Sequence, residues 1–242
     1  MSDAEPTDAS RVRRSSYVWV IDRGSQNRQH ALGVRLVSRS AEQQSVDMDV
    51  DGCRVFDPFL LDQVNGGTVT AVHGENQIVN SFIPSVSRYA SNAVGRRAMP
   101  GEMWSVSAPG TDQFPGFSLS VTVPPSMQLS LPPPGITVPF DARTPLRIAW
   151  PVEGATDEDE VLAIVRGSSE SSRDNLAAWC FAPYRSGNLT FSPAILARFD
   201  RALVLRWVEV RRVRRTWFAD PEVPLFFMAN FDGARQAGFA FR

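Results

Sequence analysis

The stretch MWSVSAPGTDQFPGFSLSVTVPP, residues 103–125, has apolar and polar residues in alternation on both sides of a short loop. Alternation with a period of two is typical of β-strands that are buried on one face and solvated on the other. It predicts a hairpin with Ser and Thr on its outward face. The inward face is predicted to consist of Trp104, Val106, Leu119 and Val121.

The loop between these two strands begins with Pro109 and Gly110. A Pro-Gly pair normally marks a tight reversal of the chain, because proline fixes φ and glycine tolerates positive φ. We therefore favour a structural turn, anchored by Phe114 and Phe117, over a ligand-binding loop.

The same alternation recurs along the chain and predicts an all-β protein. Strands are predicted near residues 17–21, 31–37, 46–50, 68–72, 78–82, 103–108, 117–123, 146–150, 161–165, 177–181, 189–191, 203–210, 225–230 and 239–241. Eleven of the 18 prolines lie between Pro100 and Pro151, which excludes a long helix there. Short strands at this spacing favour an immunoglobulin-like β-sandwich, with two sandwiches in tandem.

A proline-rich stretch, LPPPGITVP at 131–139, divides the predicted strands into two groups. Such stretches form stiff spacers, so it is interpreted as a linker. It would join an N-terminal sandwich over 16–130 to a C-terminal immunoglobulin-like sandwich over 140–242. One long sandwich split by the proline stretch is the alternative. Residues 1–15 are polar and are predicted to be a disordered tail.

One short helix is predicted within 193–199. Ser192 suits the N-cap position, and Pro193 suits the first helical position. Ile195, Leu196 and Phe199 share one face at helical spacing, which predicts that they close one end of the second sandwich.

Charge and hydropathy exclude several classes of protein. The net charge of the 242 residues is −1, which gives no overall field toward nucleic acid or an anionic membrane. No apolar run approaches the roughly 18 residues of a membrane span. The first residues as printed lack the apolar core of a signal peptide. We therefore predict neither a transmembrane segment nor sequence-specific nucleic-acid binding.

Three stretches in the middle of the chain resemble successive blocks of a bacterial protein group. They are GEMWSVSAPGTDQFPGFSLSVTVPP (101–125), PLRIAWPVEGATDEDEVLAIVRG (145–167) and AAWCFAPYRSGNLTFSPAILARF (177–199). The blocks are similar to those of uncharacterised secreted proteins and lipoproteins of GC-rich soil bacteria, especially myxobacteria. The resemblance implies a β-sandwich of the cell envelope or the extracellular space. It brings no catalytic residues.

Residues for enzymatic chemistry are scarce. The chain has two histidines, His30 and His73, and no lysine. The motifs of a nucleophile elbow, a zinc protease and a phosphate-binding loop are absent. His73 could be oriented by Glu75 to serve a Ser or Cys nucleophile, as in a hydrolase, but a turn histidine before Gly74 is favoured. We predict a protein that is not an enzyme and that has no cofactor and no metal.

An acidic run, TDEDE at 156–160, has two interpretations. Clustered carboxylates could bind Ca²⁺. The run lacks the alternating ligand spacing and the glycine of known calcium loops, so a solvated hairpin loop is favoured.

The segment LRWVEVRRVRRTW, at 205–217, is the candidate binding surface. Its basic residues are Arg206, Arg211, Arg212, Arg214 and Arg215. The structural interpretation is an edge strand whose charges protect it against pairing with other chains. The functional interpretation is an anion-binding site for a polymer such as lipopolysaccharide or nucleic acid.

The only two cysteines, Cys53 and Cys180, form a possible disulfide. Export would favour the bond. Their positions in different predicted sandwiches speak against it, and two buried thiols are the alternative.

These observations favour a non-catalytic structural or binding module of the cell envelope or the extracellular space. An anionic-polymer or glycan-binding module that uses 205–217 is the first alternative, and a hydrolase is the second. The expected partner is an anionic polymer or another protein.

Overall fold

The computed structural model describes residues 16–22, 30–36, 48–56, 63–92, 98–133, 137–138, 141–168, 175–199, 205–219, 225–230 and 237–241. The strands are β1 (Ser16–Asp22), β2 (His30–Arg35), β3 (Met48–Val50), β4 (Cys53–Phe56), β5 (Val69–His73), β6 (Asn76–Ile83), β7 (Arg88–Asn92), β8 (Met103–Ala108), β9 (Phe117–Thr122), β10 (Thr137–Val138), β11 (Leu146–Ala149), β12 (Asp159–Ser168), β13 (Asn175–Pro183), β14 (Asn188–Phe191), β15 (Leu205–Trp217), β16 (Leu225–Asn230) and β17 (Ala237–Phe241). The predicted all-β class is confirmed. The predicted tail, residues 1–15, lies outside the described residues.

The strands form three sheets. The main sheet has ten strands in the order β2–β1–β16–β15–β12–β13–β4–β3, with β17 beside β15 and β10 beside β17. A second sheet has five strands in the order β7–β6–β5–β8–β9, and β11 pairs with β14. Two pairs are parallel, β1 with β16 and β10 with β17, and the other pairs are antiparallel.

Both smaller sheets cover the same face of the main sheet. The β11–β14 pair packs near β12 and β13, and the five-stranded sheet packs near β1, β2 and β16. Arg214 is directly opposite Ala229, and directly paired residues share a face. Ala229 belongs to the core under the five-stranded sheet. Arg214 lies on the same side of β15 as Val210, which belongs to the core under the β11–β14 pair. Both cores therefore lie on one face of the main sheet. The opposite face carries a third buried cluster around Ile164 and Trp179.

The hairpin predicted over 103–125 is present as β8 and β9. Trp104, Val106 and Leu119 are buried in the core under the five-stranded sheet. Ser105 and Ser120 are exposed on the outer face, and their hydroxyl oxygens are 2.8 Å apart across the two strands. The predicted division of the two faces is therefore confirmed.

The loop of this hairpin packs against the segment that precedes β5. Gly110 donates its N–H to the carbonyl of Gly66 at 3.1 Å, and Asn65 donates its N–H to Gln113 at 2.9 Å. Gly110 has a φ of +81°, and a Cβ there would lie 2.3 Å from the backbone nitrogen of Gly116. The turn therefore requires glycine, and its loop is occupied by contacts within the protein.

The short helix is confirmed as α1 (Pro193–Leu196), followed by a 3-10 turn over Ala197–Phe199. The hydroxyl of Ser192 accepts the N–H of Ile195, as expected of an N-cap residue. Ile195, Leu196 and Phe199 are buried against the main sheet.

The division into tandem sandwiches over 16–130 and 140–242 does not coincide with a division of the sheets. The main sheet takes β1 to β4 from before the proline-rich stretch and its other strands from within or after it. The stretch at 131–139 is also no free spacer, because Leu131 forms a bridge with Ala149 and β10 pairs with β17. A strand's own alternation carries no information about its partner, so the sequence left this pairing hidden.

The described helices are short. None of them has the length and apolar character required to cross a membrane.

Candidate functional site

The arginine-rich segment is β15, an interior strand of the main sheet. It pairs with β12 on one side and with β16 and β17 on the other, so its interpretation as an edge strand is wrong. Arg211 and Arg212 are buried, and Arg214 and Arg215 are largely covered. Arg206 belongs to the same strand, but its side chain lies outside the described part of the structure.

Asp159 holds two of these arginines. Its carboxylate, at the start of β12, is completely buried and lies opposite Arg214 in the strand register. Arg212 donates from Nη2 to Oδ2, and Arg214 donates from Nε to Oδ1 at 2.7 Å. The N–H of Thr156 donates to Oδ2 at 2.9 Å. One carboxylate therefore joins two positions of β15 to the loop before β12.

Electrostatics keep Asp159 ionised. Burial alone would raise the pKa of this carboxyl, because it removes the charged form from water. Hydrogen bonds from Arg212, Arg214 and Thr156 outweigh that effect and lower the pKa from 3.8 to about 2. The cluster is therefore an ion pair throughout the physiological pH range.

Arg212 also fixes the loop that follows β11. It donates to the carbonyl of Gly154 at 2.6 Å, and its guanidinium carbon is 3.9 Å from the ring centroid of Tyr184. The carbonyl of Tyr184 accepts the indole N–H of Trp150 at 2.7 Å. Burial raises the pKa of Tyr184. These contacts connect the loop after β11 and the turn after β13 to the same arginine.

Glu160 and Arg215 form a second pair on the opposite face of the main sheet. Nε and Nη2 of Arg215 each donate to one carboxylate oxygen at 2.5 Å, which is the bidentate geometry of strong ion pairs. The guanidinium carbon lies 4.0 Å from the ring centroid of Phe181 and 5.5 Å from that of Trp217. Aromatic faces attract such a cation, so Arg215 is held by charge and by stacking.

Glu209 provides a third carboxylate on that face. Arg211 contacts it at 3.0 Å and Arg166 at 3.3 Å. The side chain of Arg211 is 6% exposed and that of Glu209 is 13% exposed.

The predicted anion site is thus engaged inside the fold. Arg211, Arg212, Arg214 and Arg215 each contact a carboxylate of the same chain. The groups that would bind the phosphates or carboxylates of a polymer are already bound.

An open pocket of about 280 Å³ lies beside this network. It is lined by Asp157, Glu158, Asp159, Glu160, Pro183, Arg215 and Trp217. Asp157 pairs with Arg185 at 2.6 Å. Among the described residues, Glu158 is the lining carboxylate without an ion-pair partner.

The acidic run at 156–160 is a solvated loop only in part. Asp159 and Glu160 are the first residues of β12 and contact arginines of β15. Within the described ranges, no group of three or more His, Cys, Asp or Glu side chains is arranged to hold a metal ion.

His73 links two strand ends. Its Nδ1 is 2.8 Å from the carbonyl of Met103, and its Nε2 is 3.5 Å from the carboxylate of Glu102. Its ring lies 5.7 Å from that of Trp104. The carboxylate beside this histidine is therefore that of Glu102, whereas the sequence suggested Glu75. His30 belongs to β2, and its side chain lies outside the described part of the structure.

Cys53 and Cys180 form a disulfide. They are directly opposite each other in β4 and β13, with their Cα atoms 4.4 Å apart. Both side chains are buried in the core beneath α1. The argument against this bond assumed two separate sandwiches, and the shared main sheet removes it.

Sequence reasoning missed the carboxylates of this network. The sequence pattern places Asp159 and Glu160 in a solvated loop and indicates no role for Glu209, because each of them on its own is typical of a surface residue. A useful signal was present: an acidic segment and a basic segment of similar length that antiparallel pairing could bring together.

No family model, no curated protein and no solved structure matches this chain. The resemblance to secreted proteins and lipoproteins of soil bacteria therefore stays a prediction, and the site is interpreted from its own residues.

Proposed function

We propose that this protein is a non-catalytic structural or binding module that works in the cell envelope or outside the cell. The observation that carries the proposal is the Cys53–Cys180 disulfide. Disulfides persist in oxidising compartments and are rare where thiols are kept reduced. The resemblance to secreted β-sandwich proteins points in the same direction.

The position of the bond favours a structural role. It joins residues 127 apart in sequence, and the two cysteines are 5% and 1% exposed. A catalytic or redox-sensing cysteine needs access to its substrate, whereas these sulfurs are packed in the core.

The use of charged residues also favours a non-catalytic module. The carboxylates of Asp159, Glu160 and Glu209 each face arginines, and this pairing fixes loops and strands to one another. His73 bridges the chain to itself at the end of the five-stranded sheet. These groups support the structure through contacts that a general acid or base would have to give up.

A thiol assay in the source cells tests the compartment. The protein should be recovered from the envelope or the medium, and a maleimide mass tag should react with it only after reduction and unfolding. Recovery from the cytoplasm with two reactive thiols would contradict the proposal.

A substrate screen tests the absence of catalysis. Ester, peptide and glycoside substrates should not be turned over above the buffer rate. Turnover that disappears in His73→Ala, in a variant shown to be folded, would establish the hydrolase alternative.

A basic protein partner is the second candidate, and the pocket beside β15 favours it. The exposed Glu158 and the indole of Trp217 lie in one open cavity. A carboxylate next to an aromatic wall suits the ammonium or guanidinium group of a partner's side chain. The anionic-polymer or glycan alternative loses its support, because the described arginines of β15 are engaged.

An arginine-rich peptide is a suitable probe for this pocket. Titration should shift the NMR signals of Glu158 and Trp217, and Glu158→Gln should weaken binding by roughly 3- to 10-fold. Glu153→Gln is the matched control, because Glu153 is exposed in the same loop outside the pocket. Equal effects of the two variants would show only general attraction.

A further inference from the structure

The segment before β5 contains the one asparagine of the chain that is followed by glycine, in the pair Asn65–Gly66. Such a pair is chemically labile, because the glycine nitrogen can attack the side-chain amide of the asparagine without hindrance from a side chain of its own. The attack closes a five-membered succinimide ring and releases ammonia. Its rate in a folded protein depends on how freely the two reacting groups can meet.

Packing requires the glycine of this pair. A Cβ on Gly66 would lie 2.4 Å from Cδ1 of Leu36, whose side chain is fully buried, and 3.3 Å from the hydroxyl of Tyr89. Gly66 is itself buried. A larger residue that would hinder the attack therefore does not fit, and protection of Asn65 has to come from neighbouring groups.

The hydroxyl of Tyr89, in β7, holds the nitrogen that would attack. Gly66 donates its N–H to this hydroxyl at 2.7 Å, and the hydroxyl donates in turn to the carbonyl of Gly67 at 3.1 Å. The attack requires that the nitrogen of Gly66 give its proton to a base. Burial raises the pKa of Tyr89, so its oxygen stays a hydroxyl and does not act as that base.

The side chain that would be attacked is fixed as well. Oδ1 of Asn65 accepts the N–H of Gly67 at 2.9 Å, so any rotation of the carboxamide has to break this bond. The backbone N–H of Asn65 donates to Gln113 at 2.9 Å, and its carbonyl accepts the hydroxyl of Thr111. Both partners of the reaction are therefore held by hydrogen bonds.

We propose that Asn65–Gly66 is a latent deamidation site and that the hydroxyl of Tyr89 keeps it closed. When this contact opens, the nitrogen of Gly66 forms a bond to Cγ of Asn65. Its proton passes through solvent to the side-chain nitrogen, which leaves as ammonia. Water then opens the ring at either carbonyl and gives aspartate or isoaspartate, so the net reaction consumes one water and releases one ammonia. This inference goes beyond the proposed function and does not depend on it.

The modification changes the contacts of the β8–β9 loop. Both products replace a neutral amide with a carboxylate. Isoaspartate also directs the backbone through the former side chain, which adds one carbon to the chain and turns the former backbone carbonyl into a free carboxylate. The bonds to Thr111 and Gln113 are made by the backbone of Asn65. Deamidation therefore loosens this loop from the segment before β5.

Deamidation rates of the full chain test the proposal. The oxidised protein is kept in mildly alkaline buffer, and peptide mass spectrometry follows the conversion of Asn65. The reaction should be at least about 10-fold slower in the folded protein than in the protein unfolded in urea. Tyr89→Phe, in a variant shown to be folded, should raise the folded-state rate at least roughly fivefold, because the hydrogen bond to Gly66 is lost.

Tyr184→Phe is the matched control. It also removes a tyrosine hydroxyl, but Tyr184 belongs to the core beneath α1 and lies against Arg212. Its rate of deamidation at Asn65 should stay within about twofold of that of the unsubstituted protein. An unchanged rate in Tyr89→Phe, an equal rise in both variants, or equal rates in the folded and unfolded protein would overturn the proposal.

A second measurement decides the case if Tyr89→Phe does not fold. In the unsubstituted protein, hydrogen exchange of the Gly66 amide and deamidation of Asn65 are followed at several urea concentrations below the unfolding transition. Both processes need the N–H of Gly66 to leave Tyr89, so their rates should change with urea in the same proportion. A deamidation rate that responds to urea differently from the exchange of Gly66 would contradict the role of Tyr89.

Discussion

The β8–β9 hairpin and the β12–β15 pair are both antiparallel, but they use polar residues in opposite ways. In the hairpin, serines face water and apolar residues face the core. In the β12–β15 pair, Asp159 and Arg212 are buried on a face that also carries Val161 and Val210. The first pair follows the rule of the half-solvated strand, and the second does not.

The difference shows what decides whether a charged residue lies inside. An isolated buried charge is very costly, so polar residues on a single strand point outward. Opposite charges on neighbouring strands satisfy one another and can be buried together, provided that the remaining hydrogen bonds are made. Each further hydrogen bond to Asp159, such as that from Thr156, helps to meet this condition.

Replacement of Asp159 by Asn should have the largest effect. It leaves two covered guanidinium groups without their carboxylate and should cost about 3 to 5 kcal/mol of unfolding free energy. Urea denaturation measures the change. Glu153→Gln, in the exposed loop nearby, should stay within about 0.5 kcal/mol. A loss below about 1 kcal/mol for Asp159→Asn would mean that the buried network adds little.

Replacement of Leu119 by Ala should come next. Leu119 is 8% exposed in the core under the five-stranded sheet, and the truncation should cost about 3 kcal/mol. The same denaturation experiment applies. If this variant lost more than Asp159→Asn, apolar packing would outweigh the ion pairs, and the order of the two regions would be reversed.

Acid should lower the unfolding free energy through the β12–β15 pair and not through the β8–β9 hairpin. The pKa of Asp159 is about 2 in the folded protein and 3.8 ordinarily, so its contribution is complete above the ordinary value and is lost as the pH falls. Unfolding free energy should drop by about 2 kcal/mol from this group between pH 5 and pH 2. Asp159→Asn should lack that part of the slope, and Leu119→Ala should retain it. An unchanged slope in Asp159→Asn would assign the acid sensitivity to other groups.

Replacement of Ser105 by Ala should have the smallest effect. Its hydroxyl contacts that of Ser120 on the solvated face, where water replaces a lost partner. The expected change is within about 0.5 kcal/mol. A loss above about 1 kcal/mol would show that the outer face is covered by another surface, and would break the contrast with the β12–β15 pair.

Much of the local structure could be predicted from the sequence. The alternation placed β8, β9 and β16, and the Ser-Pro start placed α1, because these signals are written within a few neighbouring residues. The pattern missed β4, β7 and β10. β4 has four residues with Arg54 among them, β7 is mostly polar, and β10 has two residues in a proline-rich stretch.

The site could not be predicted to the same degree. Arg212 and Asp159 are 53 residues apart, and Cys53 and Cys180 are 127 apart. Their meeting depends on which strands become neighbours, and that is decided by packing of the whole chain. The sequence therefore identifies the arginines and the two cysteines as candidates, but it leaves the pairing of the cysteines open and the partners of the arginines hidden.

The parallel pairing of β1 with β16 also sets the order in which the chain can fold. β1 lies between β2 and β16, and its register joins Ser16 to Leu225. During synthesis, the partner of β1 emerges roughly 200 residues later, about 10 to 40 s at the usual rates of translation. Until then the edge of β1 that faces away from β2 has no partner, and the main sheet cannot be completed. Pairing over such a separation is slow, so an unpaired strand edge stays accessible to chaperones for most of the chain's synthesis.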